Sequence, residues 1–197
     1  MGITVVDNHS FREDLLTGGP VLDAGARGFV FAKWFAERGH DVIAVDPSPD
    51  IRESPSDKIG LVNSALVSRK CPVSAHLEMG PDPNAWNISF SKVQDSVSVD
   101  TITLSDIKLN AGKWDLIKLN IEGSEYDILD EIAGPIARQI VFSFHEHTDR
   151  ARGREECDRI INKLRTWYDI HNQVWEPRYG CRSNYWDVLA IERGLDA

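Results

Sequence analysis

Residues 20–46, PVLDAGARGFVFAKWFAERGHDVIAVD, decide the fold of this chain. The segment from Pro20 to Gly25 has the apolar run of a short buried strand that ends in a glycine turn. A helical pattern follows from Phe29 to Arg38, and Gly39 is a natural end for that helix. Asp41 to Asp46 is a second apolar strand that ends on a carboxylate. A strand, a helix and a strand in this order predict a βαβ unit, which requires a parallel sheet with a right-handed crossover.

The same alternation of strands and helices continues along the chain, with one interruption. The further predicted elements are strands at Leu61–Leu66, Trp114–Ile121, Gln139–Phe144, Ile170–Trp175 and Tyr185–Glu192, and helices at Glu125–Ile132 and Arg154–Trp167. The interruption, at about residues 67–99, has an irregular pattern around the loop signal Gly80–Asn84, which predicts a hairpin-like insertion. The last two strands have no helix between them. We therefore predict an α/β fold with a mostly parallel central sheet and an antiparallel strand pair at one edge.

The composition restricts the class of protein. A chain of 197 residues that is 42% hydrophobic and 27% charged is sized for a single domain, 1–197. Its 22 Lys and Arg against 31 Asp and Glu give a net charge of -9, which disfavours a nucleic acid as partner. No apolar run is long enough for a membrane span, and no secretion signal is recognisable at Met1. Because Cys71, Cys157 and Cys181 lack metal-ligand spacing, we expect neither a disulfide framework nor a zinc finger, and we expect a cytoplasmic location.

The glycine turn after the first strand, Asp23–Gly28, lies where open parallel sheets bind nucleotide cofactors. An NAD-binding loop has the pattern G-x-G-x-x-G, and counting from Gly25 places Arg27 and Val30 at the second and third glycine positions. The carboxylate of Asp23 would also lie close to the negatively charged pyrophosphate of a dinucleotide, whereas it would attract a cationic ligand. Both points favour S-adenosyl-L-methionine, which carries a sulfonium and an ammonium group, over a dinucleotide. The alternative is that Asp23 only stabilises the turn and that Gly28 only packs helix against sheet.

The stretch WDLIKLNIEGSEYDILD, residues 114–130, resembles a segment of the FkbM-type methyltransferase family at the end of its fourth strand. Further segments are similar to that family: VLDAGA at 21–26, NSAL at 63–66, TITLSD at 101–106 and FSFH at 142–145. The resemblance extends over about residues 20–150. The chain departs from the family pattern where Asn120 and Ser105 replace aspartates, and where the loop from Gly25 to Gly28 is one residue shorter.

This resemblance implies a Rossmann-like class I methyltransferase fold and an enzyme that depends on S-adenosyl-L-methionine. It also implies methylation of oxygen, on a hydroxyl group of a sugar or another small molecule. Two alternatives stay open: methylation of nitrogen or of a macromolecular acceptor, and a module that binds the cofactor but is catalytically impaired. Because the segment before Pro20 is short, we expect either an open acceptor site or one completed by a second subunit of a homo-oligomer.

The candidate cofactor-binding residues lie at the ends of the first three strands: Asp23, Gly25, Ala26, Gly28, Asp46, Pro47, Asn63 and Ala65. Asp46 is expected to hold the ribose hydroxyl groups of the cofactor. Gly25 and Gly28 are expected to line the sulfonium end, and Asn63 and Ala65 to lie beside the adenine.

The candidate catalytic residues lie at the ends of the fourth and fifth strands: Lys118, Asn120, Glu122 and His145. An alcohol nucleophile must lose a proton, and His145 is our first choice of general base because an imidazole titrates at about pH 6.5. Glu122 is the second choice, or else it orients the histidine or binds the substrate. The alternative is that Glu122 caps the next helix and that His145 bonds a backbone carbonyl.

Two further hypotheses concern the same region of the chain. We predict a site without a metal, but a metal-assisted mechanism is an alternative. Its ligands would be Asn120, Glu122, His145, Glu146 and His147. Trp86, inside the predicted insertion, is the candidate for a lid over the substrate.

Overall fold

The computed structural model describes residues 2–71, 74–79, 86–89, 96–107, 109, 112–145, 152–172 and 187–195. Its strands are β1 (Thr4–Val6), β2 (His9–Phe11), β3 (Val21–Ala24), β4 (Val42–Val45), β5 (Ile59–Val62), β6 (Ala65–Leu66), β7 (Ser74–Met79), β8 (Trp86–Ser89), β9 (Val97–Ile102), β10 (Trp114–Leu119), β11 (Ala137–Phe142), β12 (Tyr168–Asn172) and β13 (Val188–Glu192). The helices are α1 (Val30–Ala36), α2 (Glu125–Glu131) and α3 (Gly153–Leu164), with a 3-10 turn at Glu13–Leu15. Among these helices, none combines the length and the apolar character that crossing a membrane requires.

Seven strands form the central sheet in the order β12-β13-β11-β10-β3-β4-β5. The pairings from β11 to β5 are parallel, whereas β13 runs antiparallel to both of its neighbours. The sheet is therefore mixed. The predicted antiparallel pair is present at one edge of the sheet as β12 and β13.

The predicted third strand, Leu61–Leu66, is wrong as a single element. Its first half lies in β5 and pairs with β4, and its second half is β6, which belongs to a different sheet. The break falls at Asn63, whose side-chain Nδ2 donates hydrogen bonds to the backbone carbonyls of Asp46 and Ser48 at 3.0 Å each. Those bonds draw the chain toward the loop after β4, so it leaves the central sheet there.

A second sheet contains the predicted insertion. Its four strands lie in the order β6-β9-β7-β8, and β7 pairs antiparallel with both β8 and β9. A hairpin of β7 and β8 thus occupies part of the region at about residues 67–99, while the side chain of Trp86 is outside the described part of the structure. The division into one domain with an insertion stays a prediction.

Each face of the central sheet is covered by its own apolar cluster, because successive side chains of a strand point to opposite faces. On β10, Ile117 and Leu119 belong to the cluster under α2 and α3, whereas Leu116 belongs to the cluster under α1. Lys118 shares the face of Leu116, and its Nζ lies 5.6 Å from the ring centre of Phe31 on α1. The alternation therefore carries a charged side chain into the layer between sheet and helix.

The sequence analysis did not predict the hairpin of β1 and β2 before residue 20. Its two-residue turn consists of Asp7 (φ 50°) and Asn8 (φ 62°), residue types that accept the left-handed backbone that such turns require. The pair Asp7-Asn8, directly after the β-branched run Ile3–Val6, was the signal that could have identified it. The hairpin lies against the central sheet, where the Gln139 side chain exchanges two 2.8 Å hydrogen bonds with the backbone of Arg12.

Candidate functional site

The candidate site lies at the edge of the sheet formed by the carboxyl ends of β4, β3, β10 and β11, which we call the carboxyl edge. These strands are neighbours and parallel, so the loops that follow them meet at this edge. All of the predicted site residues except Asn63 and Ala65 lie on β3, β4, β10 or the segments that follow these strands and β11. The topology therefore brings together residues that are more than 100 positions apart in the sequence, such as Asp23 and His145.

The glycine loop after β3 has two glycines with the same backbone conformation and different surroundings. Gly25 and Gly28 both have φ of +80°, a region that side chains other than glycine rarely adopt. A Cβ atom added to Gly25 would overlap the backbone carbonyl oxygen of Asn120, whereas a Cβ added to Gly28 would have nothing within 4 Å. Gly25 is thus required for close packing of the loop on β10. Gly28 leaves the loop backbone open to a ligand, next to the buried Ala26.

Asp23 and Lys118 form a buried ion pair behind this loop. Nζ of Lys118 donates to Oδ1 of Asp23 at 2.8 Å and to the carbonyl oxygen of Gly25 at 3.0 Å. Oδ2 of Asp23 accepts the backbone N–H of Ala32 in the first turn of α1 at 3.1 Å, where a carboxylate also interacts favourably with the helix dipole. Asp23 was expected to face a cationic ligand and Lys118 to act in catalysis. In this geometry their charges balance each other and both side chains support the loop, while the two expected roles stay predictions.

Asp46 has a buried carboxyl group at the end of β4. Its Oδ1 accepts the backbone N–H of Ser48 at 2.8 Å. Burial raises the pKa of Asp46 above its usual value, and backbone hydrogen bonds from Ser48 and from Arg27 of the glycine loop oppose that rise. The carboxyl group therefore lies between the loop after β4 and the glycine loop, where a ribose binder was expected. Pro47 beside it is partly buried.

The loop after β4 and the glycine loop enclose a cavity of about 590 Å³. Its lining includes Gly28 and Phe29 on one side and Asp50 and Ile51 on the other. Nη2 of Arg27 lies 3.5 Å from Oδ2 of Asp50, which joins the two loops across the surface. Of the predicted cofactor-binding residues, Gly28 is among those that line this cavity, and its use by a cofactor stays a prediction.

Asn63 and Ala65 lie farther along, after β5. The Asn63 amide donates to the carbonyl oxygens of Asp46, Ser48 and Ile51, so its Nδ2 stabilises the loop after β4. Ala65 is fully buried at the start of β6. The structure therefore gives Asn63 a role in shaping the wall of the cavity, and its expected contact with adenine stays a prediction.

The segment after β10 adopts a strained turn that presents a carboxylate to the site. Glu122 has φ of 51°, an uncommon value for a residue other than glycine, asparagine or aspartate, and Gly123 follows with φ of 99°. Such conformations cost about 1–3 kcal/mol and are found mostly at functional sites. The turn directs the Glu122 carboxylate toward the end of β11, where its Oε1 lies 3.7 Å from Nε2 of His145.

Glu125, which the sequence analysis did not select, lies at the centre of the part of the site that follows β10 and β11. Its carboxylate is completely buried, and Oε2 accepts the backbone N–H of Gly123 at 2.9 Å. Oε1 accepts the backbone N–H of His145 at 3.0 Å and lies 2.5 Å from Nδ1 of the same residue. The spacing E-G-x-E, which places a second carboxylate in the first turn of α2, was the sequence signal. We call Glu122, Glu125 and His145 the Glu–His array.

The Glu–His array fixes both the orientation and the charge of His145. Burial lowers the pKa of His145, but the carboxylates of Glu125 and Glu122 outweigh burial, and the pKa is raised above 6.5. A protonated His145 donates from Nδ1 to Glu125 and offers Nε2–H toward Glu122. In that protonated form the side chain is a hydrogen-bond donor that can orient an acceptor, whereas a general base must be neutral. Both expectations for His145, a general base and a bond to a backbone carbonyl, stay predictions.

Asn120 joins the two halves of the site through its backbone. Its N–H donates to the carbonyl oxygen of Ala24 at 3.0 Å, and its own carbonyl oxygen lies against Gly25. The side chain is partly exposed. The structure thus places Asn120 at the carboxyl edge, as predicted, and its catalytic role stays a prediction.

The hairpin of β1 and β2 adds two more polar side chains that the sequence analysis missed. Oδ2 of Asp7, at the tip, lies 3.9 Å from Nζ of Lys118. His9 is almost completely buried and packs edge-on against Phe31, with the ring centres 6.1 Å apart. The hairpin therefore forms one wall of the site.

The charges at the carboxyl edge suit a cationic ligand. Among the described residues, the carboxyl groups of the site outnumber its basic side chains: Asp7, Asp23, Asp46, Glu122 and Glu125, with Asp50 and Glu53 at the cavity, against Lys118 and His145, with Arg27 and Arg52 at the cavity. In surroundings of low dielectric this excess of negative charge favours a bound cation.

The metal hypothesis obtains no support from the described part of the chain, in which no three His, Cys, Asp or Glu residues form a group suited to a metal ion. Glu146 and His147, two of its proposed ligands, lie outside the described residues. A larger cavity of about 630 Å³ lies at the opposite edge of the sheet, between Trp114 at the start of β10 and Ile132 after α2. It is remote from the carboxyl edge and takes no part in this site.

Comparison with known proteins identifies the family of this chain. The family model described as the methyltransferase FkbM domain matches residues 23–171, which extend from Asp23 on β3 to His171 on β12 and include every residue of the Glu–His array. No curated protein and no solved structure matches the chain significantly.

Proposed function

The chain belongs to the FkbM methyltransferase family, and we propose that it transfers the methyl group of S-adenosyl-L-methionine to an oxygen atom. The acceptor in this proposal is a hydroxyl group of a sugar or of another small molecule. One observation carries the proposal: the glycine loop, Asp46 and the Glu–His array meet at the carboxyl edge of a chain that matches a methyltransferase family over residues 23–171.

The strand order supports the finer fold assignment. A parallel block of five strands with β3 at its centre, extended by β13 and β12 at one edge, is the arrangement that we expect of a Rossmann-like class I methyltransferase. In such a sheet the strand order reverses beside the first strand, β3, and ligands bind in the crevice at that point. The glycine loop follows β3 directly, which supports cofactor binding there.

The residues at the crevice suit S-adenosyl-L-methionine. Asp46 would accept hydrogen bonds from the two ribose hydroxyl groups, since its carboxyl group is already held by the backbone N–H groups of Ser48 and Arg27. The loop from Gly25 to Gly28 would lie against the rest of the ligand, because Gly28 carries no side chain to block it. The excess of carboxylates at the carboxyl edge supports binding of a sulfonium and an ammonium group.

The Glu–His array supports an acceptor site on the other side of the crevice. When bound, the cofactor supplies a methyl group on a positively charged sulfur, which is already activated for displacement. The protein then contributes mainly alignment and exclusion of water, effects worth roughly 7–11 kcal/mol in well-oriented reactions. A protonated His145 between Glu122 and Glu125 would hold the acceptor by hydrogen bonds, with Glu122 accepting from a hydroxyl group.

The preference for an oxygen acceptor comes from the family resemblance. A cytoplasmic location of the protein is part of the same proposal. Among the described residues, Cys71 and Cys157 form no disulfide, which is compatible with the reducing compartment of this proposal. Methylation of nitrogen, a macromolecular acceptor and a module that binds without turnover are the outcomes against which the proposal is tested.

The test is methyl transfer from radiolabelled S-adenosyl-L-methionine to a panel of glycosides, phenols, amines and a protein extract, together with calorimetric binding of S-adenosylhomocysteine. Label in the hydroxyl compounds would support the proposal. Label found only in amines would indicate methylation of nitrogen, and label found only in protein would indicate a macromolecular acceptor. Binding of S-adenosylhomocysteine without transfer to any acceptor would identify a binding module, and absence of binding would contradict the cofactor.

A further inference from the structure

His9 is a buried histidine at the carboxyl edge that the proposed function does not yet use. It is 4% exposed, and its Nδ1 atom makes no hydrogen bond with any of the residues that the structure describes. Buried polar atoms are nearly always paired, so one without a partner calls for an explanation. A ligand that enters beside the ring would supply the missing partner.

The imidazole of His9 is held firmly in this position. The neighbouring Ser10 donates its backbone N–H and its hydroxyl group to the carboxylate of Asp187, at 2.8 and 2.6 Å. The backbone N–H of Asp187 in turn donates to Oγ of Ser143 at 3.1 Å, two residues before His145. These bonds tie β2 to the segments that lead into and out of the site. The ring of Phe31 closes the other side of His9.

The two histidines of the site differ in the charges that surround them. Burial, the positive charge of Lys118 and that of His145 place the pKa of His9 well below 6.5, so this imidazole is neutral at pH 7. His145 has the opposite shift because the carboxylates of Glu125 and Glu122 adjoin it. The nearest carboxyl group of the hairpin, Asp7, is turned toward Lys118. Two titratable groups with pKa values moved apart are the usual arrangement of a base and an acid in one site.

We propose that His9 is the general base that takes the proton of the acceptor hydroxyl group during methyl transfer. This inference rests on the proposed function. It assigns the base to the hairpin of β1 and β2 and gives His145 the role of orienting the acceptor. A neutral, buried imidazole whose Nδ1 has no partner among the described residues can accept a proton, whereas the raised pKa of His145 favours its protonated form.

The step balances without a further reagent. The oxygen–carbon bond to the methyl group forms as the sulfur–carbon bond breaks, and the electron pair of that bond stays on sulfur, which becomes a neutral thioether. The hydroxyl proton moves to the imidazole of His9, which becomes an imidazolium ion. Loss of that proton to water restores the neutral ring.

The experiment compares the unaltered protein with His9→Gln, and with His40→Gln as the matched control. His40 is also a buried histidine, but its Nδ1 bonds the carbonyl oxygen of Gly19 at the opposite end of β3, away from the site. Three quantities are measured: binding of S-adenosylhomocysteine, kcat and KM with radiolabelled S-adenosyl-L-methionine and a panel of methyl glycosides, and the pH titration of the imidazole signals in ¹⁵N-histidine-labelled protein without ligand.

We expect His9→Gln to bind S-adenosylhomocysteine within about threefold of the unaltered protein and to lose at least about 100-fold in kcat with little change in KM. The acid limb of the pH profile, which reports protonation of His9, should disappear in this variant. His40→Gln should retain both the kcat of the unaltered protein and the acid limb of its pH profile. In the titration, the signals that are lost in His9→Gln should titrate below pH 6.5. If His9→Gln does not fold, His9→Asn is the second variant.

Three results would overturn the assignment. A kcat of His9→Gln within a few-fold of the unaltered protein would refute it while leaving the proposed function intact. A titration of His9 above pH 6.5 would refute it without any acceptor, because the ring would then be charged at neutral pH. If the unaltered protein does not bind S-adenosylhomocysteine, the proposed function fails and this inference fails with it.

Discussion

Nζ of Lys118 on β10 donates a 2.8 Å hydrogen bond to Oδ1 of Asp23 on the neighbouring strand β3, and the two side chains are 0% and 1% exposed. The same ammonium group donates to the carbonyl oxygen of Gly25. A buried charge pair is therefore part of the support for the glycine loop. The geometry of the proposed cofactor site depends on two side chains that the cofactor would not have to contact.

Replacing Lys118 by methionine should destabilise the protein by roughly 3–5 kcal/mol, because it leaves the buried carboxylate of Asp23 without its counter-ion. Urea denaturation measures the change. The double variant Lys118→Met with Asp23→Asn should recover part of the loss, and a double-variant cycle gives the coupling. Lys58→Met is the control, because its pair with Asp41 is largely exposed and should be worth no more than about 1 kcal/mol. Equal losses in the two single variants would contradict the buried pair.

The two glycines of the loop should respond very differently to alanine. Gly28→Ala should cost about 1–2 kcal/mol, the price of a left-handed conformation, since its Cβ would meet no atom within 4 Å. Gly25→Ala adds an overlap with the carbonyl oxygen of Asn120 and should cost more than about 4 kcal/mol or prevent folding. Thermal and urea melts of both variants decide the point. A Gly25→Ala protein as stable as Gly28→Ala would mean that the loop does not pack on β10 as described.

Asp46→Asn should weaken binding of S-adenosylhomocysteine by roughly 10- to 150-fold, the range for loss of hydrogen bonds to a charged group. Stability should not fall much, because burial already raises the pKa of this carboxyl group and makes its charge costly. Isothermal titration calorimetry measures the affinity. Asp41→Asn, an exposed carboxylate at the start of the same strand, is the control and should bind normally. Unchanged affinity in Asp46→Asn would remove Asp46 from the cofactor site.

Glu125→Gln should lower both stability and the pKa of His145. The buried carboxylate of Glu125 accepts hydrogen bonds from the N–H of Gly123, the N–H of His145 and Nδ1 of His145, and an amide cannot accept all three. We expect a loss of roughly 3–5 kcal/mol in urea denaturation. We also expect an NMR titration of His145 shifted to lower pH. Glu155→Gln, an exposed glutamate in the first turn of α3, should change neither quantity.

The two histidines of the site should give opposite pH dependences of stability. The pKa of His145 is raised in the folded state, so its contribution is complete below about pH 6.5 and is lost as pH rises through the folded pKa. The pKa of His9 is lowered, so its contribution is present above about pH 6.5 and is lost as pH falls. We measure the free energy of unfolding between about pH 5 and 9. In His145→Gln it should fall less steeply as the pH rises, and in His9→Gln it should fall less steeply as the pH is lowered. Parallel curves for both variants would contradict these shifts.

Local patterns were enough to predict most of the central sheet. Strands β3, β4, β10 and β11 are short apolar runs bounded by glycine, proline or polar residues, and the observed ends differ from the predicted ones by at most two residues. The failures have tertiary causes. The predicted strand Leu61–Leu66 is divided because the Asn63 side chain bonds the loop after β4, a contact with residues more than ten positions away.

The motif at residues 114–130 shows the same limit within one segment. Asp115 and Glu122 both belong to the pattern that resembles the family, but they lie at opposite ends of the six-residue strand β10. Asp115 is near its start, and Glu122 follows its end. Oδ2 of Asp115 accepts the backbone N–H groups of Thr17 and Gly19 at the entry to β3, at 2.7 and 2.8 Å. Glu122 lies at the carboxyl edge beside His145. The pattern identified both residues, and only the fold assigned one to the support of the sheet and the other to the site.

The sequence by itself determined the βαβ unit, the family resemblance and the set of strand ends that carry the site, because apolar periodicity and glycine positions are properties of neighbouring residues. Tertiary structure alone decided the charge and the role of each polar side chain. Lys118 supports the loop from a buried position because it pairs with Asp23, the pKa of His145 is raised because Glu125 and Glu122 adjoin it, and the unpredicted hairpin brings His9 to the same edge. A pKa and a hydrogen-bond partner depend on groups brought together in space, and for these residues those groups lie up to about 140 positions away along the chain.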